Sequence, residues 1–324
     1  MSLYNTLYSR AQIEQTGVMA RTCLTPGQRG KVLAAFSKAI YLLTETDELF
    51  WITTEDMPLH QRAALTAAPL LEPSVGASFH VEDRQLKIDP GFILDFKQAV
   101  LWRAPRLSPD HLLEISRLSM RLHSLFSNLD LAQARGFGVF IPQILSLARN
   151  ESMKPVSALT DPTLRFAQAL VLDMARACLK PDPARISEYA DRLVGLGSGL
   201  TPSGDDFLGG LLFAVNILQA AYPESKSIDL GVPVEIYRAR THLISFTLLN
   251  DLAHGQASAP LHDVINGLLR AEPLESLYPF ITRLTQIGHS TGWDMLAGLL
   301  TGLLLTYRNG DFLATSQMEQ SIAT

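Results

Sequence analysis

The sequence has little cysteine and no concentrated positive charge, and each shortage excludes a class of protein. Only Cys23 and Cys178 occur among the 324 residues. A disulfide framework or a cysteine-based metal site is therefore not expected, and a reducing compartment fits this usage. The formal net charge is −5 and no lysine- or arginine-rich run occurs. Because a nucleic-acid backbone is bound by a concentrated basic face, we expect no nucleic-acid partner.

The sequence also shows no pattern typical of a transmembrane helix or a signal peptide. The longest strongly apolar stretch, residues 295–307, has 13 residues, whereas a helix that spans a bilayer needs about 20. A buried core helix is the better interpretation. Residues 1–17 lack the apolar centre of a signal peptide. The sequence therefore predicts a cytoplasmic protein with no membrane partner.

The hydrophobic pattern changes along the chain, from strand-like to helical. From about residue 22 to 105 short apolar runs alternate with turns, and residues 78–88 have the alternation of a hairpin around a polar turn. The runs 39–44 and 49–54 flank another turn. We therefore predict an α+β fold, in which a small β-rich domain with a barrel-like or sandwich-like sheet precedes a larger, mainly α-helical domain. The predicted domains cover residues 1–107 and 108–324.

Helical periodicity dominates the second domain. Its first helix is predicted to begin with Ser108 as the N-cap and Pro109 in the first turn, since both residue types favour those positions. The later helices are predicted over residues 161–180, 184–195, 205–222, 233–254, 260–271, 274–286 and 293–308.

Two of these helices begin with the same motif. Residues 203–212 read SGDDFLGGLL and residues 291–300 read TGWDMLAGLL, so six of ten positions are identical and three more are closely similar. The agreement includes two glycines and an aspartate, which an abundance of leucine does not explain. Ser203 and Thr291 are residue types that cap helices, and an acidic residue in the first turn complements the helix dipole.

The repeat predicts a helix crossing with a polar site at one end. Small residues recur four apart in each copy, at Gly210 and Ala214 and at Gly298 and Gly302, so the two helix backbones can approach closely. Their N-termini would then lie near one another. Helix N-termini present free N–H groups and partial positive charge, which favours an anion such as phosphate or a carboxylate.

Two aspartates, one from each copy, are the predicted functional pair. Asp206 aligns with Asp294, whereas its neighbour Asp205 aligns with Trp293. Adjacent helical residues point about 100° apart, so Asp205 and Asp206 need not serve the same site. Carboxylates accept N–H groups, which suits a substrate that has both an anionic group and an amide or ureido group. Helix capping alone is the structural alternative for this motif.

The remaining candidates lie around the same two motifs and on one further helix. On the apolar segment 238–255, Thr241 and Ser245 share a helix face, as do Asn250 and His254. This polar stripe either lines the site or forms a satisfied polar network in the core. The candidate catalytic residues are Asp206, Asp294, Asp205 and His289. The candidate substrate- or anion-binding residues are Gly197, Gly199, Thr201, Ser203, Gly204, Ser290, Thr291, Gly292, Thr241 and Ser245.

Several familiar motifs are excluded by their spacing. Residues 199–206 have the glycine spacing of a P-loop but Asp-Asp where that loop needs Lys-Ser/Thr, and the glycines do not form a dinucleotide-binding fingerprint. Residues 288–292 match the serine-hydrolase elbow, yet no histidine follows His289 as a base. No cofactor is expected; Asp205, Asp206 and Asp294 would be the ligands if Mg²⁺ or Mn²⁺ were present.

The motifs GLGSGLTPSGDDFLGG, THLISFTLLNDLAHG and IGHSTGWDMLAGLLTG together resemble those of the AllH-like family. The resemblance extends from about residue 25 to 308. Its hallmark is a GLGxGLTPSGDD stretch followed some ninety residues later by a GHSSGWD-type stretch. Thr291 departs from the commoner serine but keeps the hydroxyl group.

The resemblance implies a subunit of an oxamate carbamoyltransferase that works beside two other proteins. The implied reaction converts oxalurate and phosphate to oxamate and carbamoyl phosphate during anaerobic allantoin breakdown. Paralogues with the same motifs act in other pathways, so a related carbamoyl or ureido substrate stays open. Two further hypotheses are a non-catalytic subunit that binds an anion or a partner, and a metal-dependent amide hydrolase.

Overall fold

A computed structural model describes residues 9–105, 107, 112–152, 159–223 and 230–306. By its internal contacts the chain separates into two compact units, residues 1–105 and 106–324. Each is described by itself. The domains predicted over 1–107 and 108–324 stay a prediction.

The first unit is built on one curled sheet that has the form of a half-barrel, which confirms the predicted β-rich part of an α+β fold. The strands are β1 (Ser9–Gln12), β2 (Gln15–Gly17), β3 (Arg29–Phe36), β4 (Ala39–Thr44), β5 (Leu49–Thr54), β6 (Ala63–Thr66), β7 (Ser78–Glu82), β8 (Gln85–Ile88), β9 (Phe92–Asp95) and β10 (Val100–Trp102). Their order in the sheet is β1-β9-β8-β7-β3-β4-β5-β6-β2-β10. One short helix, α1 (Val18–Cys23), follows β2.

Both hairpins expected from the sequence are present. β4 pairs with β5 and β7 pairs with β8, each in antiparallel register. Asp83 and Arg84 form the second turn with positive φ angles of 46° and 62°. The sheet begins at Ser9 rather than near residue 22. β1 and β2 have only four and three residues, too few for an alternating pattern, and they pair with strands that come much later in the chain.

The second unit is helical, as predicted. Single-turn or slightly longer 3-10 helices occur at Gly136–Phe140, Val234–Ala239, Leu274–Ser276 and Leu304–Thr306. The α-helices are α2 (Ile115–Ser127), α3 (Ile141–Ala148), α4 (Pro162–Leu179), α5 (Pro183–Leu193), α6 (Ser203–Ala221), α7 (Leu243–Ala253), α8 (Ala259–Leu269), α9 (Tyr278–Thr285) and α10 (Thr291–Leu303).

Some helix boundaries differ from the predicted ones. The single helix predicted over 233–254 is interrupted, because Arg240 to His242 leave the helical path before α7 begins. The helix predicted over 274–286 also divides, and α9 restarts with Pro279 in its first turn, where a proline needs no hydrogen-bonded N–H. The predicted cap at Ser108 and Pro109 lies outside the described residues.

The predicted crossing of α6 and α10 is confirmed, and it is reciprocal. A Cβ atom added to Gly210 would overlap the backbone oxygen of Met295, and one added to Gly298 would overlap the backbone oxygen of Phe207. Gly210 and Gly298 are equivalent in the two copies of the repeat, as are Phe207 and Met295. The two copies therefore contact each other as if related by a two-fold axis.

The crossing places α10 in the centre of the helical core. Every residue from Gly292 to Leu303 is buried, which accounts for the apolar run noted in the sequence. In the ranges given above, no helix has both the length and the apolar character needed to cross a bilayer.

Adjacent glycines of α6 allow the crossing to be tested. Gly210→Ala is expected to lower the free energy of unfolding by about 2 kcal/mol or more, since the added methyl group meets rigid backbone. Gly209→Ala is the matched control, because its methyl group meets only the end of the Leu252 side chain and alanine favours the helix by about 1 kcal/mol. Urea denaturation of both variants measures the difference. Equal stability of the two variants would contradict the close backbone contact.

Candidate functional site

The two repeated motifs meet at the N-terminal ends of α6 and α10. The hydroxyl oxygens of Thr201 and Thr291 lie 3.0 Å apart, and those of Ser203 and Ser290 lie 3.5 Å apart. Although they were predicted to cap the helices, Ser203 and Thr291 are the first helical residues, and no side-chain capping bond is present at either start. Their hydroxyl groups contact the opposite motif instead.

Asp206 and Asp294 lie directly beneath these hydroxyl groups. Asp206 is 4% exposed and Asp294 is fully buried. One carboxyl oxygen of each, Oδ2, is buried without a hydrogen-bond partner among the described residues. A buried carboxyl oxygen without a partner is costly, which makes this pair a candidate for chemistry rather than for stability.

The pKa of Asp206 is raised well above its ordinary value. Burial is the main cause, and the nearby charge of Asp294 adds to it, while hydrogen bonding with Thr291 and Thr201 opposes the rise. The surroundings of Asp206 therefore favour its protonated form.

Burial raises the pKa of Asp294 to about 7. Hydrogen bonds from the Phe137 N–H and from the Ser290 and Ser203 hydroxyl groups favour the ionised form and limit the rise. Asp294 therefore changes its charge within the neutral range. A carboxyl group with this property can both give and take a proton near pH 7.

A third segment, which the sequence analysis missed, completes the environment of Asp294. The backbone N–H of Phe137 donates to Asp294 Oδ1 over 2.5 Å. Gly136, with φ of +53°, brings the chain so close that a Cβ atom would overlap the same oxygen, and Gly138 lies against the Trp293 side chain. The two glycines of RGFGVF were the only trace of this contact in the sequence.

Asp205 faces a different direction, as its position in the helix predicted. Its Oδ1 accepts the Gly195 N–H over 2.7 Å, and its Oδ2 accepts the hydroxyl groups of Thr241 and Ser245. Thr241 and Ser245, expected to bind substrate, are thus bonded to this carboxylate. Asp205 ties the glycine-rich loop to the start of α7.

The glycines of the repeat fit tight helix junctions. Gly204 and Gly292 are equivalent, and a Cβ atom on either would overlap the backbone oxygen at the end of the preceding helix, Leu193 or Leu284. In the loop before α6, Gly197 has φ of +127° and Gly199 has φ of +94°. These residues shape the approach to the two helix starts.

Several backbone N–H groups in the first turns of α6 and α10 already donate hydrogen bonds within the chain. The N–H groups of Gly204 and Gly292 donate to loop carbonyls, and those of Asp206 and Asp294 donate to Pro202 and Ser290. The predicted anion site would consequently depend on the hydroxyl groups and on the first-turn N–H groups that remain. It stays a prediction.

The remaining candidate, His289, is exposed in the turn before α10. No group of three or more histidine, cysteine, aspartate or glutamate side chains suited to a metal ion occurs within the described ranges. The carboxylate of Asp205 is directed at Gly195 and α7 rather than at Asp294. The residues proposed as metal ligands therefore supply two carboxyl groups, not three, to one place.

The raised pKa of Asp294 predicts a pH-dependent stability. The folded protein binds a proton more tightly here than the unfolded chain does, so the contribution is complete below about pH 4 and is lost as pH rises to about 7. The limiting slope is about 1.4 kcal/mol per pH unit for one group. Asp294→Asn should flatten the fall of the unfolding free energy over that window. An unchanged slope in this variant would contradict the assignment.

The two neighbouring aspartates are expected to differ in their effect on stability. Asp205→Ala removes the acceptor of three hydrogen bonds and should lower the free energy of unfolding by about 3 kcal/mol. Asp206→Ala removes a carboxyl group with an unpartnered oxygen and should cost at least about 1 kcal/mol less. Chemical denaturation at pH 8 compares them. A larger loss of unfolding free energy in Asp206→Ala than in Asp205→Ala would contradict the structural role of Asp205.

Comparison with known proteins finds a family model that matches the segment with both motifs. No solved structure matches this chain. Residues 193–303 match the family model described as oxamate carbamoyltransferase subunit AllH. The matched segment begins at the end of α5 and ends with α10, so it contains both motifs, α7 and the reciprocal crossing. This segment is therefore similar to the AllH-like family over about a third of the chain.

Proposed function

We propose that this chain is a subunit of a carbamoyltransferase of the oxamate carbamoyltransferase type, which acts in anaerobic allantoin catabolism. The observation that carries the proposal is the meeting of Asp206 and Asp294 beneath the bridging hydroxyl groups, within the segment that matches the family model. Other subunits of the enzyme are its partners. A related carbamoyl or ureido compound is the substrate if the chain is a paralogue.

The reaction exchanges one bond and moves one proton. A phosphate oxygen forms a bond to the carbamoyl carbon of oxalurate, and the bond from that carbon to the amide nitrogen breaks. Hydrogen phosphate loses its proton, and the departing nitrogen of oxamate gains one. Carbamoyl phosphate and oxamate result, so no oxidant, reductant or further reactant is needed. The site must therefore position two anions and transfer a proton between them.

The protonation state of the aspartate pair suits this task. The raised pKa values of both carboxyl groups favour their protonated forms, which limits their repulsion of anionic substrates. One protonated and one ionised carboxyl group offer both a donor and an acceptor. A carbamoyl group has the complementary pair, an N–H donor and a carbonyl oxygen.

The hydroxyl layer supplies the contact with substrate in this proposal. Thr201, Ser203, Ser290 and Thr291 are partly exposed, whereas both carboxyl groups lie beneath them. Hydroxyl groups donate and accept, so they can pass a proton between a bound substrate and the buried pair. Asp206 and Asp294 then act through the hydroxyl groups as positioning and proton-holding residues. Transfer is promoted by orientation and electrostatic stabilisation.

The decisive experiment measures carbamoyl phosphate made from oxalurate and phosphate by the chain together with its copurified partner subunits. Asp206→Asn and Asp294→Asn should each lower turnover about 100-fold or more, since the proton-holding group is lost. Asp173→Asn changes a half-buried residue of α4 that pairs with Arg176; it is the matched control and should keep full activity. The pH–rate profile of Asp294→Asn should also lose the limb near pH 7.

The alternatives predict different results in the same assay. A non-catalytic subunit would leave turnover unchanged in both aspartate variants, provided that the complex still assembles. A metal-dependent amide hydrolase would lose activity with a chelator, recover it with Mg²⁺ or Mn²⁺, and release ammonia or carbon dioxide without phosphate. Either result would overturn the proposal.

A further inference from the structure

A cavity lies between α6 and α7, away from the paired aspartates of α6 and α10. Its volume is about 350 Å³, within the range of small-molecule sites. Asn216 lies ten residues after Asp206 in α6, which is about 15 Å along the helix axis. The polar residues that line the cavity are Asn216, Gln219, Glu235, Asn250 and His254.

The placement of these residues follows from helical spacing. Leu212, Val215, Asn216 and Gln219 recur at intervals of three and four on one face of α6. Asn250 and His254 share a face of α7, as the polar stripe in the sequence indicated. The segment from Leu230 to Glu235 forms the remaining wall.

Asn250 provides the observation that points to a ligand. Its side-chain oxygen Oδ1 is buried and accepts no hydrogen bond from any described residue. A buried amide oxygen without a donor is costly unless a donor arrives from outside the chain. The neighbouring Asn216 cannot satisfy it with its Nδ2, which donates to the Ala253 backbone oxygen over 3.2 Å.

The rest of the lining defines the chemistry of that donor. Glu235 is exposed at the edge and adds a carboxylate, while none of the described residues that line the cavity is a lysine or an arginine. An anion would therefore meet the Glu235 carboxylate without a lysine or arginine among these residues to offset it. The apolar wall is formed by Leu212, Val215, Leu230, Val232 and Val234.

We propose that this cavity binds a small uncharged or cationic molecule with N–H donors at one end of an apolar body. The donor end would satisfy Asn250 Oδ1, and the apolar end would lie against the valine and leucine side chains. This site is separate from the paired aspartates, and the proposal does not depend on the carbamoyltransferase function.

Three probes that share a benzene ring separate the requirement for N–H donors from the requirement for charge. Benzamide has N–H donors and no charge, benzamidine has N–H donors and a positive charge, and benzoate has neither donors nor a positive charge. Titration calorimetry and ligand-detected NMR on the full chain should show saturable binding of benzamide and benzamidine at about millimolar concentration, as expected for small ligands. Benzoate should bind at least about tenfold more weakly.

Variants locate the binding within the cavity. Asn250→Leu removes the oxygen at similar size and should weaken benzamide binding about tenfold. Ala253→Leu keeps Asn250 but fills the cavity, so it should abolish binding even if the first variant fails to fold. Thr247→Ala, which alters an α7 residue outside the lining, is the matched control, and Asp206→Asn should also bind normally.

Three results would overturn the proposal. They are the absence of saturable binding by both donor-bearing probes, equal binding of benzoate, and benzamide binding that neither Asn250→Leu nor Ala253→Leu reduces. A loss of benzamide binding in Asp206→Asn would instead assign the probe to the motif site and would equally overturn a separate cavity site.

Discussion

The close backbone contact between α6 and α10 is the constraint on which the candidate site depends. Gly210 of α6 lies against the backbone carbonyl of Met295 in α10, and Gly298 of α10 lies against the backbone carbonyl of Phe207 in α6. Since any side chain at either glycine would separate the helices, the repeated motif fixes both the distance and the angle of the crossing. The reciprocal geometry then brings the equivalent residues Asp206 and Asp294 toward the same axis.

Burial at that axis gives the two carboxyl groups properties that neither would have on a surface helix. The crossing removes them from water, and their proximity makes simultaneous ionisation unfavourable. Asp205, one residue away, is also buried but accepts three hydrogen bonds. Adjacent aspartates thus have distinct roles because the helix directs one toward the loop and α7 and the other toward its counterpart.

The sequence sufficed for those features that its local pattern encodes. The repeat led to the pairing of Asp206 with Asp294, and alternation located the hairpins of β4–β5 and β7–β8. It could not reveal the Phe137 N–H, because a backbone donor leaves no residue type to recognise. The interruption before α7 was missed for a related reason, since the bond from Thr241 to Asp205 overrides a periodicity that favours one long helix.

The internal two-fold relation is broken at one position, where Asp205 in the first copy corresponds to Trp293 in the second. Asp205 binds the glycine-rich loop and α7, whereas Trp293 packs on Gly138 of the 3-10 helix. A fully symmetrical arrangement would accept an unsymmetrical molecule equally well in two opposite poses. Because the flanking segments differ, the two poses are no longer equivalent, and an unsymmetrical molecule bound at the axis would have one preferred orientation.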